Sequence, residues 1–177
     1  MTSKPSIDDV AAAIFEHFDR PITTMKLQKL AYLAQGWNLA FRGDPMFDGK
    51  FEAWVNGPVS RELYRKHRGE FARSRWPEGN PKALSDEDRI ILDAVIDNYG
   101  GLSGAELSDL THVAGTPWHR ARAVSNAGPS EPSRQPLDEA LIRTHFRQLL
   151  GLDDPEYESN TNGEPPPNTG HYHAFSY

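Results

Sequence analysis

Apolar residues open the chain at helical spacing. Ile7, Val10, Ala11, Ile14, Phe15 and Phe18 fall on one face, behind a Ser6 cap and with Asp8 and Asp9 in the first turn. Acids there complement the positive end of the helix dipole. Pro21 ends this element. A second helix is predicted from Thr23 or Thr24 to about Phe41, stopped by Gly43 and Pro45. Its stripe is Leu27, Leu30, Ala34, Trp37 and Phe41, and Leu33, Gly36 and Ala40 add a second apolar face. A helix apolar on two sides is expected at the centre of a fold.

Between Pro45 and Pro58 the helical period disappears. Phe51-Glu-Ala-Trp-Val55 alternates and is rich in strand formers, with turn chemistry at Asp48-Gly49 and Asn56-Gly57-Pro58, so one short strand or a small hairpin is expected. A helix over Arg61 to about His67 follows a Ser60 cap. Residues 69–84, broken by Pro77, Gly79 and Pro81, read as an exposed loop. Capping boxes at Ser85 and Ser103 start two further helices, the first ended by Gly100-Gly101. Pro117-Trp118 begins a short helix through Arg122, and 125–135 read as loop. Pro136 is expected as the first helical residue of a last helix with Leu137, Ala140, Leu141, Phe146, Leu149 and Leu150 inward. The fold class is therefore mainly α: one compact helical domain with a small β element near 47–59.

Composition narrows the function. The 177 residues are 37% hydrophobic and include no cysteine, which excludes disulfides, a thiol nucleophile and thiolate metal sites. No apolar run is long enough to span a membrane, and no signal peptide is read at the start, so the expectation is a soluble, cytoplasmic protein. The net charge of −6 argues against non-specific coating of nucleic acid. Its placement changes that picture. Residues 152–177 hold Asp153, Asp154, Glu156, Glu158 and Glu164 with no Lys or Arg, so 1–151 carry 19 basic against 20 acidic side chains. The sequence thus divides into a domain over 1–151 and an acidic, Pro-rich tail over 152–177, expected to be disordered. The tail's His171, Tyr172, His173, Phe175 and Tyr177 read as an inert end, a short motif for a partner, or, more remotely, a His-x-His metal site.

The search for catalytic chemistry is negative. None of the seven histidines has the paired spacing of a zinc hydrolase, and no phosphate-binding glycine loop is present. Gly101-Leu-Ser-Gly104 lacks the strand and second glycine of a nucleophile elbow, and Ser103 is explained as a cap. No enzyme activity, cofactor or metal is expected.

Three constellations are left. Arg61, Arg65, Lys66, Arg68, Arg73 and Arg75 make a basic cluster. It reads as a solvated face, or as an attractor for an acidic partner, a nucleic acid or the chain's own tail. Lys26 and Lys29 sit in the first turns of the second helix, where the dipole disfavours cations. Pairing with an internal carboxylate or a functional position would each explain them. Trp54, Asn56, Gly57 and Pro58 put a large aromatic beside a rigid turn, suited to core packing or to an interface anchor.

Three ordered blocks carry a resemblance. They are Leu27-Gln-Lys-Leu-Ala-Tyr-Leu-Ala-Gln-Gly-Trp37 with Phe47-Asp48; Phe51-Glu-Ala-Trp-Val-Asn-Gly-Pro-Val59 with Tyr64-Arg-Lys66; and Tyr99-Gly100, Ser103, Glu106-Leu107, Leu110-Thr-His112, Pro117-Trp118 and Ala121-Arg122. Over roughly residues 7–150 they resemble the SocA-like Panacea-domain antitoxin family. Val55-Asn56 is a small departure, since many relatives carry a bulkier or basic pair there. The resemblance implies an antitoxin of a type II toxin–antitoxin system that neutralises a co-encoded protein toxin by direct contact. For the SocA-like branch it implies an adaptor that delivers the toxin to the ClpXP protease, and no catalytic residues. It places Leu27 to Trp37 and Trp118 in the core. Lys26, Lys29, Trp54, Asn56, Gly57 and Pro58, with Arg61, Arg65, Phe175 and Tyr177, become candidate partner contacts. The alternative is a DNA-binding regulator or a phage-associated interaction module using the 61–75 cluster.

Overall fold

The computed structural model describes residues 3–153. Among these residues, seven α-helices and two small antiparallel sheets make a mainly α fold: α1 (Ile7–Phe15), β1 (Ile22–Thr23), α2 (Thr24–Arg42), β2 (Phe51–Trp54), β3 (Gly57–Ser60), α3 (Arg61–His67), β4 (Ala72–Arg73), α4 (Asp86–Tyr99), α5 (Gly104–Thr111), α6 (Pro117–Val124) and α7 (Glu139–Leu149). The capping boxes at Ser6, Ser85 and Ser103 form as their sequences require, with the N-cap side chain and the N3 carboxylate exchanging bonds.

Helix α2 is the axis. It starts on a Thr23 cap, ends at Gly43 with φ 80, and α1, α4, α5, α7 and β3 all pack on it. Both apolar faces are consumed: Leu27, Leu30, Leu33, Ala34 and Trp37 are fully buried. Gly36 is where α7 comes closest, since a Cβ there would lie 2.2 Å from the Phe146 ring. Phe146 also meets Tyr32 edge-on at 5.7 Å, and Tyr32 meets Phe51 at 5.3 Å.

Two sequence expectations need correction. Residues 69–84 are mostly exposed, but they are not a plain loop. Ala72–Arg73 pair with Ile22–Thr23 as a second sheet, and Trp76 is buried against α1, stacked on Phe15 and donating to Asp8 Oδ1 at 2.8 Å. One apolar residue per turn was too sparse to show a period, yet a single Trp buries as much surface as a short stripe. Second, Pro136 does not start α7. It lies in a β-bridge opposite Glu52, and α7 begins at Glu139 behind an Asp138 cap. The inward face also differs from the expected one: Ile142 is buried and Ala140 is exposed. Among the described residues the last buried apolar side chain is Leu152, and Arg147 holds the adjoining Asp153 at 2.8 Å.

Candidate partner-binding site

The β2–β3 hairpin is too small to hold itself together: two four-residue strands are marginal in water. Its unpaired backbone groups are instead taken up by side chains from the surrounding helices. From α2, Gln28 bonds both Ser60 N–H (2.8 Å) and Ser60 C=O (3.0 Å), and Lys29 Nζ donates to Pro58 C=O at 2.9 Å. Two turns further, Gln35 accepts from Met46 N–H and donates to Phe47 C=O, fixing the chain that leads into the hairpin. From α5, Ser108 donates to Asn56 C=O. From α6, Trp118 Nε1 donates to Trp54 C=O at 2.6 Å, and the buried Arg122 guanidinium donates to Ala53, Gly128 and Glu131 carbonyls at 2.9, 2.6 and 2.6 Å. On the open edge, Ala53 N–H donates to Gln135 C=O and Leu137 N–H to Phe51 C=O.

These ties explain the polar residues buried in an otherwise apolar helix. Gln28, Lys29, Gln35 and Asn38 are each at most 3% exposed; the first three satisfy backbone groups that burial would otherwise leave unpaired, and Asn38 donates to Asp44 C=O at 2.7 Å. Lys29 is the costly one. Burial pushes its amine from 10.5 down to about 7, and its recorded partner is a carbonyl, not the carboxylate expected from sequence. The hairpin's left-handed residue is Gly57, with φ 107, and a Cβ there would lie 3.0 Å from both Lys29 Cε and Thr111 Oγ1. Gly57 and Pro58 are buried, so they shape the turn from beneath.

What the ties present is a groove of about 540 Å³ between the start of α2, the hairpin, α3 and residues 132–134. Met25, Trp54, Val55, Val59 and Tyr64 supply apolar wall; Asn56, Lys29, Arg68 and Arg134 supply donors. The lining holds no Asp or Glu. Trp54 packs edge-on against Tyr64 at 4.7 Å, and its indole N–H is held by Glu52, whose charge Arg61 balances at 3.0 Å. Val55 is exposed at the tip. At the floor His67 accepts from Gln28 Nε2 at 3.0 Å. Burial, aided by the Arg73 charge and opposed by Glu70, pulls its pKa down.

The sequence candidates therefore separate. Lys29, Trp54 and Asn56 meet in this groove. Lys26 does not: its ammonium donates to Gly100 C=O at 2.6 Å and lies over the Phe18 ring, on the α4–α5 side. Burial lowers its pKa, partly opposed by Glu106. The basic cluster is also less free than its sequence suggests. Lys66 pairs with Asp8, Arg73 with Glu70 and Glu78, and Arg61 with Glu52. Arg65, exposed on α3, and Arg68 and Arg75 pair with no carboxylate among the described residues. Phe175 and Tyr177 lie outside the described residues. Sequence reading missed Met25, Gln28, Tyr64 and Arg134; buried polar residues inside an apolar helix were the available signal for Gln28.

Among the described residues no group of three or more His, Asp or Glu side chains is arranged to hold a metal, and no helix is long and apolar enough to cross a membrane. The model of the family described as "Antitoxin SocA-like, Panacea domain" matches residues 27–119, more than half of the chain. The chain is also similar to Antitoxin SocA of Caulobacter vibrioides (strain NA1000 / CB15N), 28% identical over 173 residues that cover 90% of this chain and 88% of that one. No solved structure matches.

Proposed function

The chain belongs to the SocA-like, Panacea-domain antitoxin family, and from that premise we propose that it binds a cognate protein toxin directly, through the groove beside the β2–β3 hairpin. The observation that carries this reading is the hairpin's construction. Side chains from α2, α5 and α6 hold its backbone rigid while Trp54, Val55 and Asn56 face outward. A preformed edge with an aromatic anchor loses little conformational entropy on binding. The ion pairs that occupy Lys66, Arg73 and Arg61 support a protein partner over DNA, because they remove half of the basic cluster from phosphate contact.

Neutralisation proceeds either by masking the toxin or by presenting it to a protease such as ClpXP, and toxin lifetime separates the two. The test is co-purification from cells expressing the native locus, with the parent chain and with Trp54→Ala. A co-purifying toxin lost on that substitution, while the thermal melt is retained, is the expected result. Capture unchanged by Trp54→Ala refutes the assigned surface. A toxin whose half-life shortens when the chain is present identifies the delivery route, and a lengthened half-life identifies masking.

A further inference from the structure

We propose that the same groove is a seat for the chain's own acidic segment, residues 154–177, so that a partner must displace it. The proposal rests on the groove being a docking surface, as inferred above. Three observations converge on this occupant.

The first is charge. The lining contains no carboxylate, and its Arg68 and Arg134 are exposed and pair with no acid among the described residues. Residues 154–177 hold Asp154, Glu156, Glu158 and Glu164 and no Lys or Arg. Opposite charges on one chain attract at an effective concentration set by the connection between them.

The second is apolar chemistry. The groove exposes Val55 and part of Trp54 beside Tyr64 and Met25. The segment carries Tyr157, Tyr172, Phe175 and Tyr177. Aromatic side chains are the usual anchors for such a wall.

The third is reach. Arg147 ties Asp153 beside the C-terminal part of α2, where it also donates to Ala40 C=O, while the groove opens at Met25 and Gln28. The separation along α2 from residue 40 to residue 25 is about 22 Å at the helical rise. From residue 153 to residue 171 the chain can extend to about 60 Å. The aromatic cluster therefore reaches the groove with slack, and the acidic residues pass it on the way.

The absence of cysteine allows a clean test. Ser176→Cys in the full-length chain takes a single nitroxide label, and paramagnetic broadening is read at the Trp54 indole N–H and the Val55 and Asn56 amides, with the deeply buried Trp37 as an internal reference. Loss of the groove signals, recovered when the label is reduced and weaker at the Trp37 indole about 12–18 Å along α2, is the expected result. Arg68→Glu with Arg134→Glu should restore them, and so, independently, should Glu156→Lys with Glu158→Lys, which leaves the described fold untouched. The proposal is overturned by unbroadened groove signals or by broadening that survives both pairs of substitutions. Broadening that appears only between labelled and isotope-enriched copies in a mixed sample also overturns it, by assigning the groove to a second molecule. Toxin capture by the unlabelled chain is measured separately, so loss of the intramolecular contact leaves the reading of function standing, and loss of capture leaves the contact standing.

Discussion

Replacing Lys29 by Met tests the least ordinary feature of the core. The amine is 1% exposed and bonded to Pro58 C=O, and burial brings it from 10.5 to about 7. In the unfolded chain Lys29 keeps its proton up to about pH 10.5; in the folded chain it releases it near 7. Between those values the unfolded state binds about one more proton, so stability rises with pH by about 1.4 kcal/mol per unit. Below pH 7 both states hold the proton and the slope disappears. Over the full window the effect reaches about 4–5 kcal/mol. The Met side chain carries no such slope but leaves the Pro58 carbonyl unpaired, a loss of about 1–3 kcal/mol that does not vary with pH. The variant is therefore expected to be the more stable chain near pH 7 and to lose that advantage as pH approaches 9.5 (about two-thirds of the window). Urea denaturation followed by circular dichroism at half-unit steps measures both chains. No thiol titrates in this range, and Lys26, whose pKa is also lowered, contributes equally to both chains and cancels in the difference. Parallel stability curves for the two proteins would show that Lys29 stays charged when folded and would refute the reasoning.

Other substitutions probe the frame and the site. Arg122→Ala removes one buried guanidinium from three carbonyls and is expected to lower stability by more than about 3 kcal/mol in chemical denaturation; a change below about 1 kcal/mol would mean that water replaces it. Gly36→Ala forces the Phe146 ring to move. The expected net loss is about 1–2 kcal/mol after the gain in helix propensity, seen as a fall of several degrees in melting temperature, and an unchanged melt would contradict the α2–α7 contact. Trp54→Ala is expected to weaken toxin capture by at least about tenfold with little effect on the melt, because this indole is only partly buried; titration calorimetry on the purified pair reads it directly.

The helices were legible where short-range chemistry decides them. Ser6, Ser85 and Ser103 announce their helices by caps that need only four residues, and the two-sided apolar pattern of α2 identified the central element. The hairpin was legible from alternation and Asn56-Gly57. Non-local pairing was not. The β1–β4 pair joins residues fifty positions apart, and neither Ile22-Thr23 nor Ala72-Arg73 is long enough to show a period. Pro136 suits the first turn of a helix as well as an edge bridge, and only the presence of Glu52 opposite decides between them. Of the residues that line the groove, Trp54 and Asn56 stood out in the sequence because they look like a turn with an anchor. Lys29 was found for breaking the dipole rule, yet its partner was misjudged, since a sequence lists carboxylates but does not show which carbonyls a fold leaves unpaired.

The side-chain ties beneath the hairpin also bear on how this family's surfaces should be mapped. Gln28, Lys29, Trp118 and Arg122 lie beneath or behind the strands, and none of them has to touch a partner for its removal to release the turn that carries Trp54. An alanine scan scored by toxin protection alone will rank them beside true contacts and draw an interface through the interior of the protein. Scoring the same scan with a second readout that follows the fold divides them: positions that lose protection and stability together belong to the scaffold, and positions that lose protection alone outline the surface the toxin meets.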